Sequence, residues 1–352
     1  MKRKLKWRSR LKHVMQKPSV IPLVIVRLIL VFSRKKPLRT VQFALDYTCN
    51  AKCIHCSAEE MMEQKTKRNT MSLDKIKSAI DECIELGALN IALSGGEPMM
   101  YPYIYDVISH IKRRNVFSNI ITNGSLLTKE RVDKLHRHGL DVINLSLEGI
   151  GKDHDLFYGI PDLFEQAINN VMYAKEVGID VMVLHVTTNE SLANGDTLKL
   201  AKYLEERGID IFLLYPSATG KWAVKTEILL TEKNHEIFKN LLKYPNIHWE
   251  GDANYYKDGC PAGIEVIYIS SYGDVTPCPF IHISFGNINE KSLKEILANV
   301  RSEKDFDMLQ EYCLVGYNSD FYKDYLGHIQ KDDYPTPIEK IKKYHHIKTT
   351  KQ

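Results

Sequence analysis

Cys49, Cys53 and Cys56 form a C-x3-C-x2-C triplet within the stretch 46–56, directly after a strand-like run. Three thiolates on one short loop can hold three corners of a cubane iron–sulfur cluster, leaving the fourth iron open to a reacting ligand. The alternative is a zinc site, with His55 or a distant residue as fourth ligand. Further along lie Gly95-Gly96-Glu97-Pro98, Thr122-Asn123-Gly124, Ser146-Leu-Glu148, and a second cysteine set at Cys260, Cys278 and Cys313. Cys83 recurs at helical spacing with Ile76 and Ile80 and is expected in the core.

Those residues need a scaffold. From residue 41 short β-branched runs alternate with amphipathic helical stretches. Strands are expected at 41–47, 90–94, 117–122, 141–146, 180–187 and 210–215, and helices at 72–86, 103–114, 128–138, 162–177, 193–207 and 231–243. Serial strand–helix units require parallel pairing with right-handed crossovers. The expected fold class is α/β: a partial (β/α)6 barrel of the eight-unit type, with a small C-terminal α+β domain. No Gly-x-Gly-x-x-Gly opens the first helix, which argues against a dinucleotide fold. In barrels of this kind chemistry gathers at the C-terminal strand ends, where the cysteine triplet, Gly95–Pro98, Asn123-Gly124 and Glu148 fall. Asn189 follows the fifth strand and the segment 216–220 follows the sixth.

The 352 residues carry 44% apolar and 26% charged side chains, the composition of a globular protein. Seven cysteines without a secretory signal ahead of them point to metal or redox chemistry rather than disulfides. The net charge of +4 is unevenly placed. Residues 1–40 hold 13 Lys or Arg and no acid, whereas 41–352 hold 35 basic and 44 acidic residues. The apolar run at 20–32 is interrupted by Arg27 and is shorter than the roughly 20 residues a spanning helix needs. Basic flanks suit a helix lying in an anionic membrane interface; a helix packed on the protein's own surface is the alternative. Aromatic residues are nearly absent from the basic arm, so no nucleic-acid partner is expected. The expected location is the cytoplasm, with the arm permitting a peripheral position at the inner face of a membrane.

The expected units are a basic arm at 1–37, a core at 38–245, a cluster domain at 246–318 and a partly frayed extension at 319–352. A hairpin at 265–276 and a helix at 292–300 mark the third unit.

In order and position, the triplet, the Gly-Gly-Glu-Pro segment and the Thr-Asn-Gly turn resemble the radical S-adenosylmethionine (radical SAM) enzymes over about residues 40–240. The resemblance implies that Cys49, Cys53 and Cys56 hold a [4Fe–4S] cluster whose open iron binds S-adenosylmethionine, which displaces the zinc reading. One electron would then release a 5′-deoxyadenosyl radical that abstracts hydrogen from an unactivated C–H bond. It further implies cofactor-binding roles for His55, Gly95, Gly96, Glu97, Asn123, Ser146, Glu148 and Asn189. His55 stands where the family usually has an aromatic residue near adenine. Glu97 either contacts the methionyl ammonium or braces its loop. Many relatives have Asp where this chain has Glu148.

The second cysteine set resembles the SPASM or Twitch extension. Only three cysteines stand there against the seven of a full SPASM pattern, so one auxiliary [4Fe–4S] cluster on Cys260, Cys278 and Cys313 is expected, with a missing or non-cysteine fourth ligand. Cys313 could instead be a free thiol or a hydrogen donor to a substrate radical. The resemblance implies a small electron donor such as flavodoxin or ferredoxin and a peptide substrate. The arm, too short for a leader-recognition domain, raises a lipid-like substrate, and a non-catalytic electron carrier is the reading from another class.

Overall fold

The computed structural model describes residues 17–33, 36–255, 257–329 and 333–349. Helix α1 (Ile21–Phe32) precedes strand β1 (Thr40–Asp46), and a short helix α2 (Glu59–Glu63) follows the cysteine loop. The repeating units are α3 (Leu73–Glu85), β2 (Asn90–Gly95), α4 (Ile104–Arg113), β3 (Phe117–Thr122), α5 (Lys129–His138), β4 (Val142–Ser146), α6 (Lys152–Tyr158), α7 (Leu163–Glu176) and β5 (Asp180–Val186). They continue through α8 (Asn189–Ala193), α9 (Asp196–Glu205), β6 (Asp210–Leu214), α10 (Glu232–Leu241) and β7 (Ile247–His248). Three of the helices begin where a side chain takes an orphan N–H. Ser72 accepts from Lys75, Thr128 from Arg131 and Thr231 from Asn234.

The strands lie in the order β7-β6-β5-β4-β3-β2-β1-β8-β9, with β8 (Val266–Ile269) and β9 (Val275–Thr276). All neighbours are parallel except β8 and β9. This is a partial barrel of TIM type, with β7 and β9 as its edges. Side chains alternate across the wall as a period of two requires. Val41, Phe43, Ile91, Leu93, Ile143 and Ile211 are buried outward under the helices. Thr40, Gln42, Asn90, Ala92, Ser94, Asn119, Asn144, Ser146, Met182 and Phe212 face a central cavity of about 1130 Å³. Three of them form an amide ladder: Asn144 donates to Asn119 (2.8 Å), which donates to Asn90 (2.7 Å).

Two expectations about domains change. The hairpin is present, but its first strand pairs parallel with β1 through Thr40↔Val266 to Phe43↔Ile269. The boundary near 245 therefore does not divide the sheet: the C-terminal region supplies β8 and β9. After α11 (Leu293–Ser302) and α12 (Ser319–Asp324), the chain is not a loose tail. Strand β11 (Thr336–Pro337) pairs with β10 (Ile283–Ser284), the Tyr334 hydroxyl bonds to His282, and α13 (Ile338–Thr349) buries Ile338 and Ile341. Of the N-terminal arm, residues 1–16 lie outside the described part. Helix α1 forms as expected and is pinned by Arg27, whose guanidinium donates to the carbonyls of Gly87 (2.8 Å) and Ile84 (2.6 Å) after α3. Among the described residues no helix is long and apolar enough to cross a membrane.

Candidate active site

The cysteine loop leaves β1 and is held from three sides. From α6, the carbonyls of Tyr158 and Phe157 accept from Lys52 N (3.0 Å) and Ile54 N (3.1 Å). From the β2 end, Gly96 N donates to Asp46 (2.8 Å) and Glu97 N to Thr48 (2.8 Å). From the segment after β6, Lys221 N donates to the Cys56 carbonyl at 3.0 Å.

The glycines explain how these contacts fit. A Cβ on Gly95, whose φ is +133°, would stand 1.9 Å from the Asp46 carbonyl, and one on Gly96 would stand 2.3 Å from that of Thr48. A side chain at either position therefore clashes with the chain's own β1–loop backbone. Gly220, in the segment that follows the sixth strand, does the same at the opposite side: φ is +61° and its Cβ would lie 1.9 Å from the Cys56 carbonyl.

Glu97 is buried at the cavity wall and braces the strand ends. Its carboxylate accepts from Met99 N (3.0 Å), Thr122 Oγ1 (2.7 Å) and Asn123 N (2.9 Å), tying β2 to β3. Burial raises its pKa, and these three donors offset part of the rise. Asn123 in turn accepts from Ser125 N (2.9 Å) and donates to Asn50 in the cysteine loop (3.2 Å).

Glu148 sits at the next strand end between two histidines. It accepts from Val186 N (2.8 Å) and lies 3.3 Å from His185 Nδ1 and 3.6 Å from His55 Nε2. Burial alone would raise its pKa; hydrogen bonding with His185 and the charge of His55 outweigh that and hold it below the ordinary value. The Tyr158 hydroxyl bonds with both Ser146 and Glu148. Around His55 the rings of Phe157, Tyr158 and Trp222 lie at 4.6, 6.3 and 5.7 Å between centroids. Burial lowers the His55 pKa. Tyr158, His185 and Trp222 were missed in the sequence, since each stands outside the strand-end motifs.

Asn189 does not line the cavity. Its side chain donates to the Leu229 carbonyl (2.9 Å) and accepts from Thr231 N (3.1 Å) and Asn234 Nδ2 (2.8 Å), clamping α8 to the start of α10. The other seven cofactor-binding residues expected from the sequence all line one cavity with Cys49, Cys53 and Cys56.

The second cysteine set opens onto the same space. Cys260, Cys278 and Cys313 line the cavity with Trp249, Glu250 and His282. Cys260 and Cys313 are hydrogen-bonded, and that bond lowers the Cys260 pKa against its burial. Burial pushes Cys278 up to about 12. Cys83 is buried in the core, as its spacing implied.

The residues fit the expected groups. Each end of the cavity offers three thiols, and His55 Nδ1 is buried among ring faces with no hydrogen-bond partner in the protein. Among the described residues no three His, Cys, Asp or Glu side chains converge tightly enough for a single metal ion, the arrangement a zinc site demands.

Comparison with known proteins agrees. The family model for the radical SAM superfamily matches residues 47–206, and that for SPASM, an iron–sulfur cluster-binding domain, matches 260–324. The chain belongs to the radical SAM superfamily. It is a radical SAM enzyme with a SPASM domain, and its cofactors are S-adenosylmethionine on a [4Fe–4S] cluster and an auxiliary iron–sulfur centre. Similar curated proteins include the AdoMet-dependent heme synthase of Nitratidesulfovibrio vulgaris, 25% identical, covering 78% of this chain and 82% of that one. The PqqA peptide cyclase of Ruegeria pomeroyi is 27% identical, over 76% of this chain and 77% of its own. The subtilosin biosynthesis protein AlbA of Bacillus subtilis is 26% identical, over 72% and 58%. Among solved structures, Streptococcus suis SuiB bound to its precursor peptide SuiA superposes with a TM-score of 0.60 at 19% identity, covering 79% of this chain and 68% of that one. That likeness speaks to the fold.

Proposed function

We propose that this radical SAM enzyme abstracts hydrogen from an unactivated C–H bond of a peptide held between its two cysteine sets. The supporting observation is the single cavity that both sets line; the peptide-modifying relatives PqqA peptide cyclase and AlbA support the substrate class. When bound, the cluster and S-adenosylmethionine supply a one-electron cleavage that makes the cofactor a hydrogen abstractor.

The chain's own residues position and enclose. Cys49, Cys53 and Cys56 would hold the first cluster; Gly95, Gly96 and Gly220 let flanking backbone press onto their loop. Glu97 and Asn123 fix the β2 and β3 ends, while Glu148, Ser146 and His55 line the cavity and would help hold S-adenosylmethionine there. Cys260, Cys278 and Cys313 would hold the auxiliary cluster. A small one-electron carrier such as flavodoxin or ferredoxin would supply the reducing electron.

The test is anaerobic turnover with synthetic peptides drawn from short reading frames beside the gene. Peptide-dependent 5′-deoxyadenosine with a mass change in the peptide is expected. No rise above a Cys49→Ala control with any peptide would overturn the peptide reading.

One observation favours a second substrate. Val24 and Leu28 of α1 line the cavity while the same helix exposes Ile25, Ile29 and Phe32. A lipid or membrane-held precursor, met by an enzyme resting on the membrane, fits that arrangement.

A further inference from the structure

Three segments meet at the cysteine loop, and their rings pack together. His55 of the loop stands 4.6 Å from Phe157 of α6 and 5.7 Å from Trp222 after β6, centroid to centroid. Backbone bonds join the same segments: Ile54 N donates to the Phe157 carbonyl (3.1 Å) and Lys221 N to that of Cys56 (3.0 Å). Next to each ring in the chain an apolar side chain stands in solvent instead. Ile54 is 53% exposed, Leu156 76% and Val224 78%. Large apolar side chains gathered in the open with a polar border mark an interaction surface. Val224 adds a second sign. Its φ of +62° lies in the left-handed region, which a β-branched residue rarely occupies, and backbone strain of this kind collects at functional surfaces.

The place of the patch narrows what can cover it. Cys49, Cys53 and Cys56 line the cavity, whereas Asn50, Lys52 and Ile54 between them are exposed. The outer face of the loop is therefore a short way from solvent to the three thiols. His55 and Trp222 line the cavity from behind the patch, so a substrate lying on Leu156 and Val224 would be walled off from the reacting centre. A protein that only hands over an electron can act from outside. Lys52, Lys152 and Lys225 are exposed around the apolar centre, against the exposed acids Asp153 and Glu227. That border favours an acidic partner.

We propose that Ile54, Leu156 and Val224 are the docking surface for a small acidic one-electron carrier protein. The step it serves moves one electron: the carrier is oxidised by one, the centre on the cysteine loop is reduced by one, and no bond is made or broken. This rests on the cluster reading of Cys49, Cys53 and Cys56 and is independent of the peptide substrate.

Reduction of the reconstituted full-length enzyme is followed anaerobically by the loss of visible cluster absorbance, with reduced flavodoxin, reduced ferredoxin, or dithionite, a small reductant that needs no docking. Leu156→Asp/Val224→Asp is compared with the native chain and with Ile25→Asp/Ile29→Asp, which changes exposed residues of α1 instead. Reduction by one of the two carriers is expected to slow about tenfold or more in the first variant alone, with the dithionite rate, iron content and circular dichroism native. Carbodiimide coupling should join carrier carboxylates to Lys52, Lys152 or Lys225. Native carrier rates in Leu156→Asp/Val224→Asp, an equal slowing with dithionite, or cross-links confined to other lysines overturn the docking surface. So does reduction of the native chain by dithionite but by neither carrier. A variant that keeps its carrier rate but loses a dimer in size-exclusion chromatography, or raises a peptide's KM, gives the patch to a second copy or to the peptide and overturns the carrier. Failure of dithionite itself to bleach the native chain would count against the cluster reading beneath the proposal.

Discussion

At the scale of single residues, the site is built by close approach and by shared acceptors. Gly95→Ala forces a methyl against the Asp46 carbonyl; a stability loss of more than about 2 kcal/mol is expected, read as a lower Tm together with reduced iron after reconstitution. Glu97→Gln keeps the shape but turns one accepting atom into a donor, facing either the Asn123 N–H or the Met99 N–H and Thr122 hydroxyl together. The expected cost is about 1–3 kcal/mol in urea unfolding. Glu148 gives a pH signature. Its folded pKa is depressed, so its stabilising contribution is complete above the unfolded value of about 4.3 and is lost as pH falls through the folded value. The stability difference between the native chain and Glu148→Gln should therefore shrink as pH drops from about 5 to 3, and stay flat above that. The positions of Gly95, Glu97 and Glu148 were legible because a motif at a strand end has one place to go. Asn189 misled for the same reason: it follows β5 as a ligand would, but α8 begins at once and turns the side chain toward Leu229 and Thr231.

At the scale of elements, the six strand–helix units emerge within about three residues of their expected bounds, because period-two runs and N-cap residues are local signals. What was not legible is the pairing of two-residue strands. Nothing in Thr336–Pro337 advertises a partner at Ile283–Ser284, so the C-terminal extension looked frayed. Arg27 is a case of the opposite kind. In the sequence it merely interrupts an apolar run; in the fold it donates to the carbonyls of Ile84, in the last turn of α3, and Gly87, just beyond it. Arg27→Met preserves the stem and removes both bonds, each worth about 1.5–3 kcal/mol when the donor is charged. Hydrogen exchange in α1 should rise sharply while that of β1 to β6 stays close to native.

At the scale of the molecule, two cysteine sets facing one cavity predict iron content that falls in steps. A cubane carries four irons, so the native chain should reconstitute to about eight, Cys49→Ala or Cys278→Ala to about four, and Cys83→Ala to the native value. Equal iron in the native chain and Cys278→Ala would remove the auxiliary cluster. The cysteine spacing made both sets visible in the sequence; that they share one chamber was not, because it depends on β8 entering the sheet beside β1. That pairing has a practical consequence. A chain cut after residue 245 would strip β1 of one neighbour and leave its N–H and C=O groups along Thr40–Phe43 as an open edge. A core expressed without its cluster domain is therefore expected to self-associate through that edge, read by size-exclusion chromatography; the same seam that positions the second thiols also covers the first strand.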